Sequence, residues 1–147
     1  MKVLLTGGSG FIGSHIALLL IEKGYDVLIL DSFVNSSPKV INGIKAYMEI
    51  KKINYNLKTI NGDIRDKKIL DKIFFDCAKE FNPITAVIHL AGLKSVAESV
   101  TNPLHYWDVN VCGTQNLLSV MIEHECYSIV FSSSATIYGL TDSIPIT

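Results

Sequence analysis

Apolar residues follow two spacings that take turns along the chain. Residues 3–6 are a short β-branched and leucine run that opens directly into glycines, and residues 14–23 carry helix-forming apolar side chains up to a stop at Gly24. That order predicts strand, tight turn and helix. Residues 27–30 form a second apolar strand ending at Asp31. After the turn-like Asn35, Ser36, Ser37 and Pro38 a helix starts with proline in its first turn, and Val40, Ile41, Ile44, Tyr47 and Met48 give it one apolar face. Residues 57–60 predict a third strand, closed by Asn61, Gly62 and Asp63. The helix after it repeats Ile69, Leu70, Ile73, Phe74, Cys77 and Phe81 at helical spacing, and Pro83 ends it. Residues 86–90 are a fourth strand running into Ala91 and Gly92. Residues 104–124 form one long helical segment, and residues 129–131 a fifth strand that runs into serines.

Strands thus alternate with helices, and several strands are apolar on both faces. That is the pattern of an α/β fold, a parallel sheet covered by helices on each side. With 147 residues the chain is in the size range of one compact domain, so residues 1–147 are read as a single unit. An apolar fraction of 48%, a charged fraction of 18% and a net charge of -1 describe an ordinary globular chain with no mark of a nucleic-acid partner. Cys77, Cys112 and Cys126 are odd in number and have no close pair, so neither a disulfide framework nor a metal site is expected, and a reducing cytoplasm fits. Glycines interrupt the N-terminal apolar residues, which argues against a signal peptide. The longest apolar run, residues 16–21, is far short of the ~20 residues a membrane-crossing helix needs, so no membrane partner is expected.

The candidate chemistry begins at Gly7, Gly10 and Gly13, spaced G-x-x-G-x-x-G between a predicted strand and a predicted helix. Glycines here allow a sharp turn and let a pyrophosphate approach backbone N–H groups at the helix N-terminus, where the helix dipole favours negative charge. The third glycine lets helix and strand pack closely. A glycine cluster alone is often a mere turn. Asp31 changes that reading, because it ends the second strand about 20 residues beyond the loop, where a carboxylate accepts from adenosine ribose hydroxyls and repels a 2′-phosphate. NAD is therefore expected over NADP, in a Rossmann-type doubly wound sheet.

Other residues carry weaker signals. His15, His89, His105 and His124 show no ligand spacing and are read as surface or strand residues. Tyr106 and Trp107 on the long helix are read as interface rather than as a stacking platform, and Trp107 and Met121 as positions of an apolar association surface. The cluster Ser132, Ser133 and Ser134 lacks a G-x-S-x-G elbow and an assigned base, which favours hydrogen bonding over nucleophilic attack. Tyr138 has Asp142 rather than lysine four residues on, and is read as structural.

Gly7, Gly10 and Gly13 with Asp31, Asp63, Ala91, Gly92 and the serine cluster resemble the extended short-chain dehydrogenase/reductases along the whole chain. Two segments, residues 89–99 and 131–139, resemble those that distinguish the UDP-glucose 4-epimerases within that superfamily. Sister dehydratases usually have Thr-Asp-Glu where this chain has Ser134, Ala135 and Thr136, so the absence of a carboxylate disfavours elimination.

The resemblance implies that Phe11 and Ile12 present backbone N–H groups to the pyrophosphate and that Asp31, Asn35 and Ser36 surround the adenosine ribose. It implies that Asp63 and Ile64 meet the adenine. Leu90, Ala91, Gly92 and Leu93 would line the cofactor, with Lys94 reaching its phosphate or ribose region. Ser134 would bond the reacting sugar hydroxyl, with Thr136 close by. The implied activity is NAD-dependent epimerisation at C4 of UDP-glucose or UDP-galactose, in a homodimer.

In the family a Tyr-x-x-x-Lys pair follows the serine strand and supplies the base, and none follows it here. The sheet is therefore expected to be truncated before its last strands and the C-terminal substrate domain, and the catalytic cycle to be impaired. The alternatives are an inactive NAD-binding or assembly module, or a related nucleotide-sugar dehydratase or reductase.

Overall fold

The structure, a computed structural model, describes residues 1–139, with the side chains at positions 135 and 136 outside that description. Five strands form one parallel sheet: β1 (Lys2–Thr6), β2 (Asp26–Asp31), β3 (Leu57–Asn61), β4 (Ile84–His89) and β5 (Ile129–Phe131), in the order β3-β2-β1-β4-β5. The connecting helices are α1 (Phe11–Glu22), α2 (Lys39–Ile50), α3 (Lys67–Lys79), α4 (Val96–Thr101), α5 (Pro103–Trp107) and α6 (Gly113–Glu123). This is the predicted Rossmann-type doubly wound sheet.

Alternation along the central strands explains why they read as unbroken apolar runs. In β1 and β2, Leu4, Leu28 and Leu30 face one core, built with Leu70, Phe74, Leu117 and Met121 of α3 and α6. Val3, Leu5, Val27 and Ile29 face a second core, built with Ala17, Ile21, Ile44 and Met48 of α1 and α2. Both faces are buried, so residues 3–5 of β1 and 27–30 of β2 are all apolar. The strand order reverses at β1, where β2 lies on one side and β4 on the other. A crevice opens at the carboxyl ends of the strands at such a point.

Two features depart from the sequence reading. Phe81 does not extend the apolar face of α3: that helix stops at Lys79, and Phe81 is 97% exposed with φ 56°. The Phe81 N–H bonds the Ala78 carbonyl and the Asn82 N–H bonds the Cys77 carbonyl, a paired cap that ends the helix before Pro83 is reached. The same pair of bonds, through Gly24, Lys52 and Glu125, ends α1, α2 and α6.

The second departure is the long helical segment, which is interrupted by a π-helical turn, Asp108–Cys112, between α5 and α6. One inserted residue rotates everything downstream by about 100° relative to a continuous helix. Leu117, Val120 and Met121 therefore point into the core, whereas Leu104, Trp107 and Ile122 are exposed. Met121, expected as an interface position alongside Trp107, is a core residue instead. No helix among the described residues is long and apolar enough to cross a membrane.

Candidate functional site

A cleft of about 340 Å³ opens over the carboxyl ends of β1 to β4. Its floor is the turn from β1 into α1. Gly7 has φ 69°, and a Cβ there would stand 2.7 Å from the Ala91 backbone nitrogen. A Cβ on Gly13 would stand 2.6 Å from the Gly7 carbonyl oxygen and the Gly8 Cα. Glycine is thus required at both, because backbone approaches backbone with no space for a side chain. The Gly7 N–H is tied to the Leu30 carbonyl at 2.8 Å, which fixes the loop to β2.

Gly10 is the N-cap of α1 and lines the cleft with Phe11, Ile12 and Gly13. The first N–H groups of a helix have no intrahelical partner, so these residues offer donors at the positive end of the helix dipole. A diphosphate fits this cradle by charge and by the clearance the glycines leave.

Asp31 ends β2 and is only 7% exposed, so it is not a solvated turn residue. Its Oδ2 accepts the Ser9 N–H at 2.8 Å, and its Oδ1 accepts the Phe33 N–H and the Ser36 hydroxyl, both at 2.9 Å. Asp31 therefore joins the glycine loop to the segment after β2. Asn35 lines the cleft beside it, while Ser36 reaches the site through the Asp31 carboxylate.

After β3, Asp63 and Ile64 line the same cleft, and Arg65 and His105 line it as well. Arg65 grips Asp63 with two nitrogens and reaches Asp108 with a third. Hydrogen bonding from Arg65 holds the Asp63 carboxyl below the usual carboxylate range, and the charge of His105 adds to the effect.

The opposite wall is formed by Leu90, Ala91, Gly92, Leu93 and Lys94 beyond β4. The Leu90 N–H bonds the Thr6 carbonyl at 3.0 Å. Asn110, in the π turn, brackets Leu93: its Oδ1 accepts the Leu93 N–H at 2.8 Å and its Nδ2 donates to the Leu93 carbonyl at 3.0 Å. Beneath them lies His89, hydrogen-bonded to Thr6 and, at 2.9 Å, to Thr114. Burial pushes the His89 pKa down to about 4.

A second recess of about 610 Å³ shares Ile12 and the Leu90 to Lys94 wall with the first and extends to Ser132, Ser133 and Ser134. Ser134 thus stands where the cleft continues; the side chain of Thr136 lies outside the described residues. Tyr106, read from the sequence as interface, belongs to this recess. Its hydroxyl accepts the Ser95 N–H at 3.0 Å and donates to Glu98 at 2.9 Å, which steadies the segment after Lys94.

Arg65, His105, Tyr106 and Asn110 were missed as site residues. Asn110 and Thr114, four apart on one helical face, were the available signal for the last of them.

One Tyr-x-x-x-Lys spacing does occur in the chain, at Tyr47 and Lys51. Tyr47 is on α2, Lys51 follows its last residue, and neither lines a recess. The Tyr47 hydroxyl donates to Glu22 at 3.0 Å, and that bond raises its pKa, the opposite of what a phenolate base needs. Among the described residues, no three His, Cys, Asp or Glu side chains are grouped to hold a metal ion.

Residues 4–147 match the family model described as GDP-mannose 4,6 dehydratase. The UDP-glucose 4-epimerase of Yersinia pestis is 47% identical over 145 residues, 99% of this chain and 40% of that protein. A bifunctional UDP-glucose 4-epimerase and UDP-xylose 4-epimerase of Pisum sativum is 44% identical over 98% of this chain and 39% of its own length. The chain thus spans about 40% of the length of the curated relatives it matches. The crystal structure of UDP-glucose 4-epimerase from Bifidobacterium longum in complex with NAD+ and UDP aligns with a TM-score of 0.87 at 42% identity, covering 100% of this chain and 41% of that one.

The buried His89 makes stability depend on pH. Its folded pKa of about 4 lies below the value of 6.5 for a free histidine, so the unfolded chain binds the extra proton between those limits. The stability His89 allows is complete above pH 6.5 and declines as the pH falls toward 4. Urea titrations from pH 7 to pH 5 should show a shallower decline for His89→Gln than for the parent chain. Identical slopes would show that His89 does not titrate this way.

Proposed function

The chain belongs to the extended short-chain dehydrogenase/reductases of the GDP-mannose 4,6 dehydratase family, with UDP-glucose 4-epimerases among its relatives, and from that premise we propose that it is the NAD-binding part of a UDP-hexose 4-epimerase. The observation that carries this reading is the glycine cradle at the N-terminus of α1, tied to Asp31 through the Ser9 N–H in a cleft at the sheet's switch point. NAD bound there would supply the hydride acceptor and donor for chemistry at sugar C4.

The chain's own residues have separable tasks in this reading. The backbone N–H groups of Phe11 and Ile12 hold the pyrophosphate, with Gly7, Gly10 and Gly13 providing clearance. Asp31, with Asn35 and Ser36 beside it, meets the adenosine ribose: a carboxylate offers about four acceptor sites, and Ser9, Phe33 and Ser36 occupy three, which leaves about one for a ribose hydroxyl. Asp63 and Ile64 meet the adenine. Leu90, Ala91, Gly92, Leu93 and Lys94 line the path toward the second recess, where Ser134 bonds the sugar hydroxyl and Thr136 assists.

The family model's description raises dehydration as a rival. Elimination needs an acid to expel water, and Ser134, Ala135 and Thr136 provide no carboxylate at the place where the dehydratases carry theirs.

NAD should bind at least about tenfold more tightly than NADP, a difference of about 1.4 kcal/mol. Asp31→Asn removes the charge that repels a 2′-phosphate yet keeps an acceptor oxygen, and should narrow the gap. Equal calorimetric affinities for the two dinucleotides in the parent chain would refute the ribose assignment.

Tyr47 and Lys51 line neither recess, and these 147 residues hold no other Tyr-x-x-x-Lys spacing. The 147-residue chain alone should therefore convert UDP-galactose to UDP-glucose slower by roughly 10²- to 10⁴-fold than a relative with that base. Turnover at a comparable rate in a coupled assay would contradict this.

Leu104 and Trp107 on α5, with Ile122 on α6, leave apolar surface exposed, Trp107 at 62%. Such patches mark interaction surfaces, and a homodimer through these helices fits them. Trp107→Glu should shift light scattering at micromolar concentration toward monomer without unfolding the chain, whereas a parent chain that is already a clean monomer would refute the dimer.

A further inference from the structure

Asp63 sits two residues beyond β3, and among the described residues every hydrogen bond to its carboxylate comes from Arg65. The Arg65 backbone N–H donates to Asp63 Oδ1 at 2.9 Å, Nε to the same oxygen at 3.1 Å, and one terminal nitrogen to Oδ2 at 2.7 Å. The other terminal nitrogen donates to Asp108 Oδ2 at 2.8 Å, across 43 residues of sequence. The Arg65 carbonyl is itself pinned, accepting from Asn116 Nδ2 at 2.9 Å. The guanidinium is therefore a strut between the loop after β3 and the π turn. Only its planar fork can make these contacts together; a lysine offers a single point of charge.

The strut has a chemical consequence for the cleft. A carboxylate has about four acceptor sites, and Arg65 occupies three of those on Asp63, leaving one on Oδ2. Asp63, Arg65, Ile64 and Val109 all line the cleft. An acceptor held in one orientation distinguishes an amino group from a carbonyl, because the carbonyl oxygen would meet it lone pair to lone pair.

We propose that Arg65, anchored by Asp108, is a positioning residue that sets base specificity, fixing Asp63 as an acceptor for the exocyclic amino group of a purine. This rests on the dinucleotide reading above and adds to it the reason that adenine is selected.

Nicotinamide hypoxanthine dinucleotide differs from NAD in having a carbonyl where adenine has the amino group. The parent chain should prefer NAD by about tenfold or more in calorimetric titration, the range for one hydrogen bond to a charged group. Arg65→Met should reduce that ratio to about threefold or less, chiefly by weakening NAD, and Arg65→Lys should not restore it. Asp108→Asn, which leaves Asp63 and Arg65 in place, should give an intermediate ratio. If Arg65→Met lowers both affinities equally and keeps the ratio, Arg65 is merely structural and the proposal fails. Should that variant not fold, an Asp108→Asn ratio equal to the parent's overturns it. A parent chain binding both dinucleotides alike also overturns it while leaving NAD binding intact, whereas binding neither defeats the NAD reading as well.

Discussion

Helix α1 begins where it does because backbone can touch backbone at two points. The Gly13 Cα face lies against Gly7 and Gly8, and Gly7 lies against the Leu90 to Ala91 peptide. These contacts bring the end of β1, the start of α1 and the segment after β4 within van der Waals distance of one another. A single methyl group at either glycine would separate them. The positive end of the helix dipole is thereby delivered to the switch point of the sheet, and the cleft inherits its shape and its affinity for anions from that approach.

Polar side chains then hold the loops around this centre. Asp31 links the glycine loop to the segment after β2, Asn110 brackets Leu93, and Arg65 spans from Asp63 to Asp108. Each joins two segments distant in sequence, and each does so through backbone N–H groups or charged partners. His89 serves the same purpose beneath the floor, where burial keeps it neutral and its two ring nitrogens reach Thr6 and Thr114. The cleft is thus built from loops, with the sheet as the frame that sets their spacing.

The strands and the cradle were legible because their causes are local. Two-sided burial makes a strand uniformly apolar, and close approach demands glycine whatever surrounds it. Helix ends were less legible: of the four helices closed by the same paired cap, only α1 carries the glycine that signals it, while Lys52, Phe81 and Glu125 adopt the same positive φ without one. The π turn has no composition of its own, and it moved Met121 from the surface into the core. Arg65 and Tyr106 were hidden for a related reason. Arg65 acquires its place from Asp108, 43 residues away, and Tyr106 from Ser95 across the gap between α4 and α5. Neither distance shows in a periodicity.

The central claim, that the α1 cradle receives the pyrophosphate of NAD, is most directly tested by titrating the isotope-labelled chain with NAD and following its backbone amide resonances. The account predicts that the amides of Gly10, Phe11, Ile12 and Gly13 shift most and saturate together with those of Asp63 and Leu93 on the cleft walls. NAD binding that leaves the four loop amides unmoved would contradict it.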